Sequence, residues 1–214
     1  GGVMATLSRV KVKTQSAGRM LGALGYAMQA RKTMYQGQWL VSGSNCVPRT
    51  CYLEMMATKR QHKKDRGVYF YSFVQSFHPD ERITPQEANR IALELADKLF
   101  PDYESVVATP VDTDNIHSHI IVNSVSFRHG KKLHLSPTSI EEMRKVNDQV
   151  CMAHGFSVLG PYSERKKKRK PIKPGEYRSA MRGSSWKFAL SRAIDDALEY
   201  STDRRSFIQN MEYE

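Results

Sequence analysis

The sequence predicts an α+β fold: a mainly antiparallel central sheet flanked by helices, with a helical extension at the C-terminal end. Three observations carry that expectation. Residues 68–77 and 116–127 are rich in aromatic and β-branched side chains, as strands are. Helix-period segments with capping signals begin near Thr84 and near Pro137. The elements follow the order β, α, β, α, β, β, α, which suits an α+β core.

The elements can be justified in turn. Gly1-Gly2-Val3 ahead of Met4 reads as an expression scar and stays outside the fold. Residues 5–13 alternate weakly, Val10 and Val12 against Arg9, Lys11 and Lys13, which suits a short basic strand. From Ala17 to Ala30, Met20, Leu21, Leu24, Ala27 and Met28 fall at helical spacing. Gly18, Gly22 and Gly25 cost this helix about 1 kcal/mol each relative to Ala. Residues 36–50, with Gly37, Gly43, Asn45 and Pro48, read as loop. A short helix at 50–60 is expected to run out into a polar basic stretch, Lys59 to Arg66. After the Val68–Phe77 strand, Thr84 is placed to cap a helix, with Pro85 at its first position and Glu87 completing a capping box. Ala88, Ile91, Ala92, Leu95, Ala96 and Leu99 mark its buried face, and Pro101 ends it. Ser105–Thr109 is a short strand and Ile116–Phe127 a long one. Arg128–Lys131 reads as a hairpin turn into 132–135. Thr138 and Glu141 are spaced as the capping box of the next helix, which carries Met143, Val146, Val150 and Cys151 inward and stops at Gly155. Helical patterns return over 185–200 and 203–213. The expected organisation is a core at 4–160, a basic arm at 161–183 and a helical extension at 184–214, the abrupt end at Met211–Glu214 reading as a truncation.

Composition narrows the function. The chain has 214 residues, 40% of them apolar, enough for a real core and too many for a disordered chain. Thirty-three Lys and Arg against 22 Asp and Glu leave a net charge of +11, which points to a polyanionic partner and foremost to nucleic acid. The longest apolar runs, such as Ile120–Val122, fall far short of the ~20 residues a membrane span needs. No apolar signal segment opens the sequence, and three cysteines (Cys46, Cys51, Cys151) do not suit a disulfide scaffold, so a reducing cytoplasm is expected.

The sharpest chemical feature is His117-Ser118-His119. In a strand, residues two apart share a face, so both imidazoles project together, with Asn123 further along that side. Two neutral imidazoles are a natural clamp for a divalent cation. Asp112 and Asp114, just upstream, can supply a further ligand or orient an imidazole from behind. The competing reading is two surface histidines on a half-exposed strand. Tyr26 lies on the Gly-rich helix, followed by Arg31-Lys32 and Tyr35. A tyrosyl oxygen can attack a phosphodiester but, with an ordinary pKa of about 10, needs help at neutral pH. The competing reading is an amphipathic core tyrosine. Cys46 and Cys51 lack a partner pair at zinc-finger spacing and read as buried thiols. Lys166-Lys167-Lys168-Arg169, within the 164–170 charge run, suits a phosphate-contacting arm, and Lys32 joins it as a DNA contact; a merely solvated run is the alternative. Trp39, Tyr69, Phe70 and Tyr71 could stack bases or pack in the core.

The stretch from Thr109 through Asp112, His117, His119 and Asn123 to Val125 resembles the metal-binding motif of relaxases. These are the mobilisation nucleases of conjugative and integrative elements, within the HUH endonuclease superfamily. Val74-Gln75-Ser76-Phe77, followed by Pro79-Asp80-Glu81 and the Thr84–Ala88 helix start, is similar to the segment preceding that motif in relaxases of Gram-positive elements. Leu24-Gly25-Tyr26-Ala27 with Lys32-Thr33 is similar to their tyrosine motif, and Ser185-Trp186-Lys187 also resembles them. The resemblance implies a palm-like HUH fold, Tyr26 as nucleophile, and His117 and His119 as ligands of a divalent cation; a site completed by Asp would favour Mg²⁺ or Mn²⁺. It implies nicking of one strand at an origin of transfer through a 5′-phosphotyrosine link, on DNA presenting a hairpin and an adjacent single strand. It further implies a type IV secretion coupling protein and relaxosome accessory proteins as partners. Relaxases usually carry a third histidine where this chain has Pro110, which cannot coordinate, and Ser72 matches a further histidine often seen in them. The third ligand stays open among Asp112, Asp114, Glu81, His134 and His78. A non-enzymatic DNA-binding module with a degenerate metal site is the alternative.

Overall fold

The computed structural model describes residues 5–156. In chain order these form β1 (Ala5–Val10), α1 (Ala17–Ala27), α2 (Ala30–Thr33), β2 (Met34–Tyr35), β3 (Gln38–Trp39), β4 (Val41–Ser44), α3 (Cys51–Gln61), β5 (Phe70–Phe77), α4 (Pro85–Leu99), β6 (Ser105–Ala108), β7 (His117–Asn123) and α5 (Pro137–Ala153). Five strands make one sheet in the order β1-β5-β7-β6-β4, and every neighbouring pair is antiparallel. The α+β expectation is met. The expected arm and C-terminal extension, with Lys166, Lys167, Lys168 and Arg169, lie outside the described residues.

β7 is central, and all seven of its residues are buried. Its alternation divides two cores. Ile120 and Val122 face α4 and α5, packing with Ile91, Leu95, Met143 and Val150. Ile121 faces α1 and α3, packing with Met20, Leu24 and Met55. Burying a Leu or Ile side chain contributes about 1.5–3 kcal/mol each, so Leu95→Ala in this tightly filled layer costs about 2–5 kcal/mol. The capping box of α4 forms as its sequence demands: the Thr84 hydroxyl accepts from Glu87 N, and the Glu87 carboxylate accepts from Thr84 N.

Several local expectations are corrected. Residues 36–50 are not all loop. β2 and β3 form a hairpin, and β4 pairs with β6 as the sheet edge. Ser42-Gly43-Ser44 has loop composition, but its pairing with β6 overrides propensity. Gly43 is required by packing, since a Cβ there would lie 2.0 Å from Cys46 O. The helix from Ala17 ends at Ala27, and α2 begins separately after Gln29. The long strand of 116–127 is shorter, and beyond it Val125 and Lys132 make a single bridge rather than a hairpin ladder. Ser136, not Thr138, caps α5: its hydroxyl accepts from Ser139 N with Pro137 at the first helical position. Lys59 is not in an exposed basic tail. It lies four residues after Met55 on the inner face of α3 and is 0% exposed.

Candidate active site at the N-terminal end of the central strand

Antiparallel pairing sets His117 opposite Ser76, and His119 between Val74 and Ala108. The small or slender neighbours leave the imidazoles room on the α1 face of the sheet. Both rings are buried, 4% and 6% exposed, which removes the reading of two surface histidines. Their centroids are 5.2 Å apart with planes near perpendicular. His117 Nδ1 lies 3.0 Å from the Asn115 carbonyl oxygen. A carbonyl only accepts, so Nδ1 carries the hydrogen and the Nε2 lone pair of the neutral ring stays available.

Electrostatics keep both rings neutral. Burial pushes the His117 pKa down, against the pull of the Asn115 carbonyl and the Asp112 carboxylate. Burial, then the neighbouring His117 and the Lys32 ammonium, push His119 down to about 3. Neutral imidazole is the form that binds metal. His117 therefore suits a divalent cation in tautomer, and the two neutral rings suit one in charge and in spacing along the strand. A complete ligand set is another matter: no group of three His, Cys, Asp or Glu side chains suited to a metal occurs among the described residues. Asp112 acts on His117 through its charge. His78, at the end of β5, lies 3.5 Å from Asp80. His134 follows Leu133, whose N–H donates to Ser124 O, so it belongs to the opposite end of β7.

Tyr26 occupies the last turn of α1 and is 7% exposed. Lys32 reaches back from α2. Its Nζ donates to Tyr26 Oη at 2.9 Å and stands 4.3 Å from the ring centroid. The Lys32 carbonyl accepts from Val111 N at 2.7 Å, tying the Asp112 loop to α2. Thr33 O accepts from Leu40 N, and Leu40 O accepts from Thr109 N, so the tie continues into β6. Tyr26, Lys32, Asp112, His117 and His119, from four segments, are thus gathered by these backbone ties, by the Lys32–Tyr26 side-chain bond and by the charge of Lys32 acting on both imidazoles. The sequence suggests Lys32 as a DNA contact and gives no hint of its bond to the Tyr26 hydroxyl. Helical spacing offers no sign of it, because the chain breaks between α1 and α2 at Met28-Gln29. Cys46, Cys51 and Cys151 are free, and burial raises all three thiols.

Asn123, expected on the histidine side, does share that face but serves a different network. Its Nδ2 donates to Met55 O at 3.2 Å and to Glu104 Oε2 at 3.2 Å, and its Oδ1 accepts from Lys59 Nζ. Lys59 also donates to Tyr69 O at 2.7 Å, and Thr58 Oγ1 donates to the Glu104 carboxylate. Burial, then the charge of Lys132, push the Lys59 pKa down to about 7, against the pull of Glu104.

Comparison with known proteins agrees with this architecture. The family described as relaxase, MobA/VirD2-like, nuclease domain, matches residues 26–156, from Tyr26 to the end of the described core. A Staphylococcus aureus protein named Protein rlx is 33% identical over 157 residues, covering 73% of this chain and 46% of that protein. A second Protein rlx from the same species is 30% identical over 178 residues, covering 80% of this chain and 53% of that protein. The group II intron-interrupted relaxase LtrB of Lactococcus lactis is 26% identical over 159 residues, covering 68% of this chain and 27% of that protein. The chain therefore spans about half the length, or less, of these curated relatives. With a family match over most of its length and the histidine pair and tyrosine at one end of its sheet, the chain belongs to the MobA/VirD2-like relaxase nuclease-domain family.

Proposed function

We propose that this chain nicks one strand of DNA at an origin of transfer by tyrosine transesterification. The observation that carries the reading is Tyr26 Oη, held by the Lys32 ammonium at 2.9 Å at the end of the sheet where the two buried imidazoles lie. Tyr26 Oη attacks the scissile phosphorus, the phosphorus–O3′ bond breaks, and the phosphate stays joined to the tyrosine and to the 5′ end of the downstream strand. The phenolic proton leaves to solvent and the departing 3′ oxygen takes one up, so the products are a 5′-phosphotyrosine and a free 3′-OH. One ester replaces another, and the reverse reaction religates the strand. Lys32 holds the attacking oxygen in place and stabilises its charge as the proton departs. His117 and His119 would hold a divalent cation, Mg²⁺ or Mn²⁺, with Asp112 beside His117 as orienting group or third ligand. Such a cation, when bound, supplies charge neutralisation at the phosphate. In the cytoplasm of a conjugating bacterium the adduct would pass to relaxosome accessory proteins and a type IV secretion coupling protein.

Pro110, standing where a third histidine is expected, favours a second reading: a DNA-binding module whose metal site has decayed. One experiment separates the two. Labelled single-stranded DNA spanning an origin is incubated with Mg²⁺, Mn²⁺ or EDTA and run on a denaturing gel beside Tyr26→Phe. The expected result is a cation-dependent protein–DNA adduct that the variant does not form. Binding to a verified origin with no adduct would overturn the strand-transfer reading and leave the second.

A further inference from the structure

Most of the buried face of α4 is apolar, with Ala88, Ile91, Ala92, Leu95 and Ala96 packed in the core. Asn89 is the exception, 6% exposed among them. A buried amide is costly unless its hydrogen-bonding atoms are used, and here both ends are. Nδ2 donates to Leu40 O at 3.0 Å and to Thr109 Oγ1 at 3.2 Å, and Oδ1 accepts from Ser42 Oγ at 2.7 Å. Leu40 O only accepts, so the amide is held in one orientation. Thr109 Oγ1 in turn lies 2.7 Å from Ser118 Oγ, and both residues are fully buried. One side chain thus joins the residue ahead of β4, the residue after β6 and the middle of the histidine motif.

Each joined point leads to a group of the candidate site. Leu40 N donates to Thr33 O at 2.8 Å, so Leu40 is tied to α2, whose Lys32 holds the Tyr26 hydroxyl. Thr109 N donates to Leu40 O at 2.9 Å, and two residues on, Val111 N donates to Lys32 O just ahead of Asp112. Ser118 lies between His117 and His119 and faces the other way, toward the α4 side that Ile120 and Val122 also face. Asn89 touches none of the reacting groups. It stands behind them, where the segments that carry the lysine–tyrosine pair and the imidazoles meet. We propose that Asn89 is a positioning residue for strand transfer, acting through Leu40 and the Thr109–Ser118 pair to fix Tyr26 and Lys32 relative to His117 and His119. The proposal rests on the strand-transfer reading. An apolar residue would fill this place on the helix without desolvating an amide; what the amide adds is direction, since its bonds hold three segments at set distances. A misplacement on the order of 1 Å costs a reaction of this kind about 10²-fold in rate.

The test uses the full chain carrying Asn89→Ala, Thr109→Val or Thr109→Ser, with Leu95→Ala as a control that removes only packing from the same helix. Single-turnover adduct formation is timed at saturating origin DNA and Mn²⁺, beside the Kd for that DNA and the denaturation midpoint. Asn89→Ala and Thr109→Val are expected to slow the adduct step about 10–10²-fold, with Kd changed less than about twofold. Thr109→Ser, which keeps the hydroxyl, restores the rate to within about threefold, and Leu95→Ala, at an equal or larger loss of midpoint, slows it less than about threefold. In the protein free of cation and DNA, amide hydrogen exchange at Leu40, Thr109 and Val111 is expected to speed up in Asn89→Ala at least about tenfold more than at the β5 amides. Unchanged rates in Asn89→Ala and Thr109→Val, equal slowing in Leu95→Ala, Thr109→Ser as slow as Thr109→Val, or exchange that rises evenly would each overturn the proposal. No adduct from the wild-type chain would instead be the failure of the strand-transfer reading, and the exchange measurement would still decide whether Asn89 holds these segments together.

Discussion

The two ends of β7 treat buried polar groups in opposite ways. At the Asn123 end, Lys59, Asn123, Glu104 and Thr58 satisfy one another, and Met55 and Tyr69 carbonyls accept what remains. At the His117 end, two imidazoles are buried with only one carbonyl and the Asp112 charge, among the described residues, to favour a charged form, and a lysine is spent on a tyrosine hydroxyl. Closed networks hold strands in register; open ones keep lone pairs and nucleophiles for something that arrives. The same strand thus anchors itself at one end and carries two neutral imidazoles at the other.

If that division is right, substitutions at the two ends separate activity from stability. Tyr26→Phe is expected to abolish covalent adduct while shifting thermal unfolding little, since only the hydroxyl is removed; adduct gels beside melting curves check this. Glu104→Gln removes the carboxylate that accepts from Asn123 Nδ2 and Thr58 Oγ1 and whose charge acts on buried Lys59, and is expected to destabilise the fold by about 1–3 kcal/mol, read from the denaturant midpoint, the range for hydrogen bonds to a charged group. Lys32→Met is expected to slow adduct formation about 10²–10³-fold, the range for removing one preorganised stabilising group, with a smaller effect on DNA binding. A subtler effect follows from Lys59. Its folded pKa is lowered to about 7, whereas an unfolded lysine keeps its proton to about 10.4. Between those values the unfolded chain binds more protons, so stability contributed at this site rises with pH from about 7 toward 10 and is flat below 7. Denaturation midpoints at pH 7 and pH 9.5, compared with Lys59→Met, isolate it; a wild-type midpoint that falls relative to the variant would contradict the sign. The smallest effect is expected at Ser136→Ala, about 1 kcal/mol for removal of the α5 cap, with adduct yield unchanged.

Much of this is legible in the sequence because the signals are local. Thr84-Pro85-Gln86-Glu87 writes its own helix start, and His117-x-His119 in a strand must share a face. What stays hidden depends on residues far apart in the chain. Ser42-Gly43-Ser44 becomes a strand only because β6 offers it a partner. Lys59 is buried only because Asn123 and the Tyr69 carbonyl, brought by other strands, accept its hydrogens. The Lys32–Tyr26 bond depends on a turn between two helices that periodicity reads as one. Asn123 lies on the face that alternation predicts, but its distance along the strand assigns it to structure rather than to the histidines.

Tyr26 as the nucleophile at the histidine end of β7 is tested most directly by mass spectrometry of the nuclease-trimmed, proteolysed protein–DNA adduct. A nucleotide mass is expected on the peptide containing Tyr26, and none when EDTA replaces Mg²⁺ or Mn²⁺. A nucleotide mass on Tyr35, the other tyrosine of this region, or an adduct that survives Tyr26→Phe, would contradict that role.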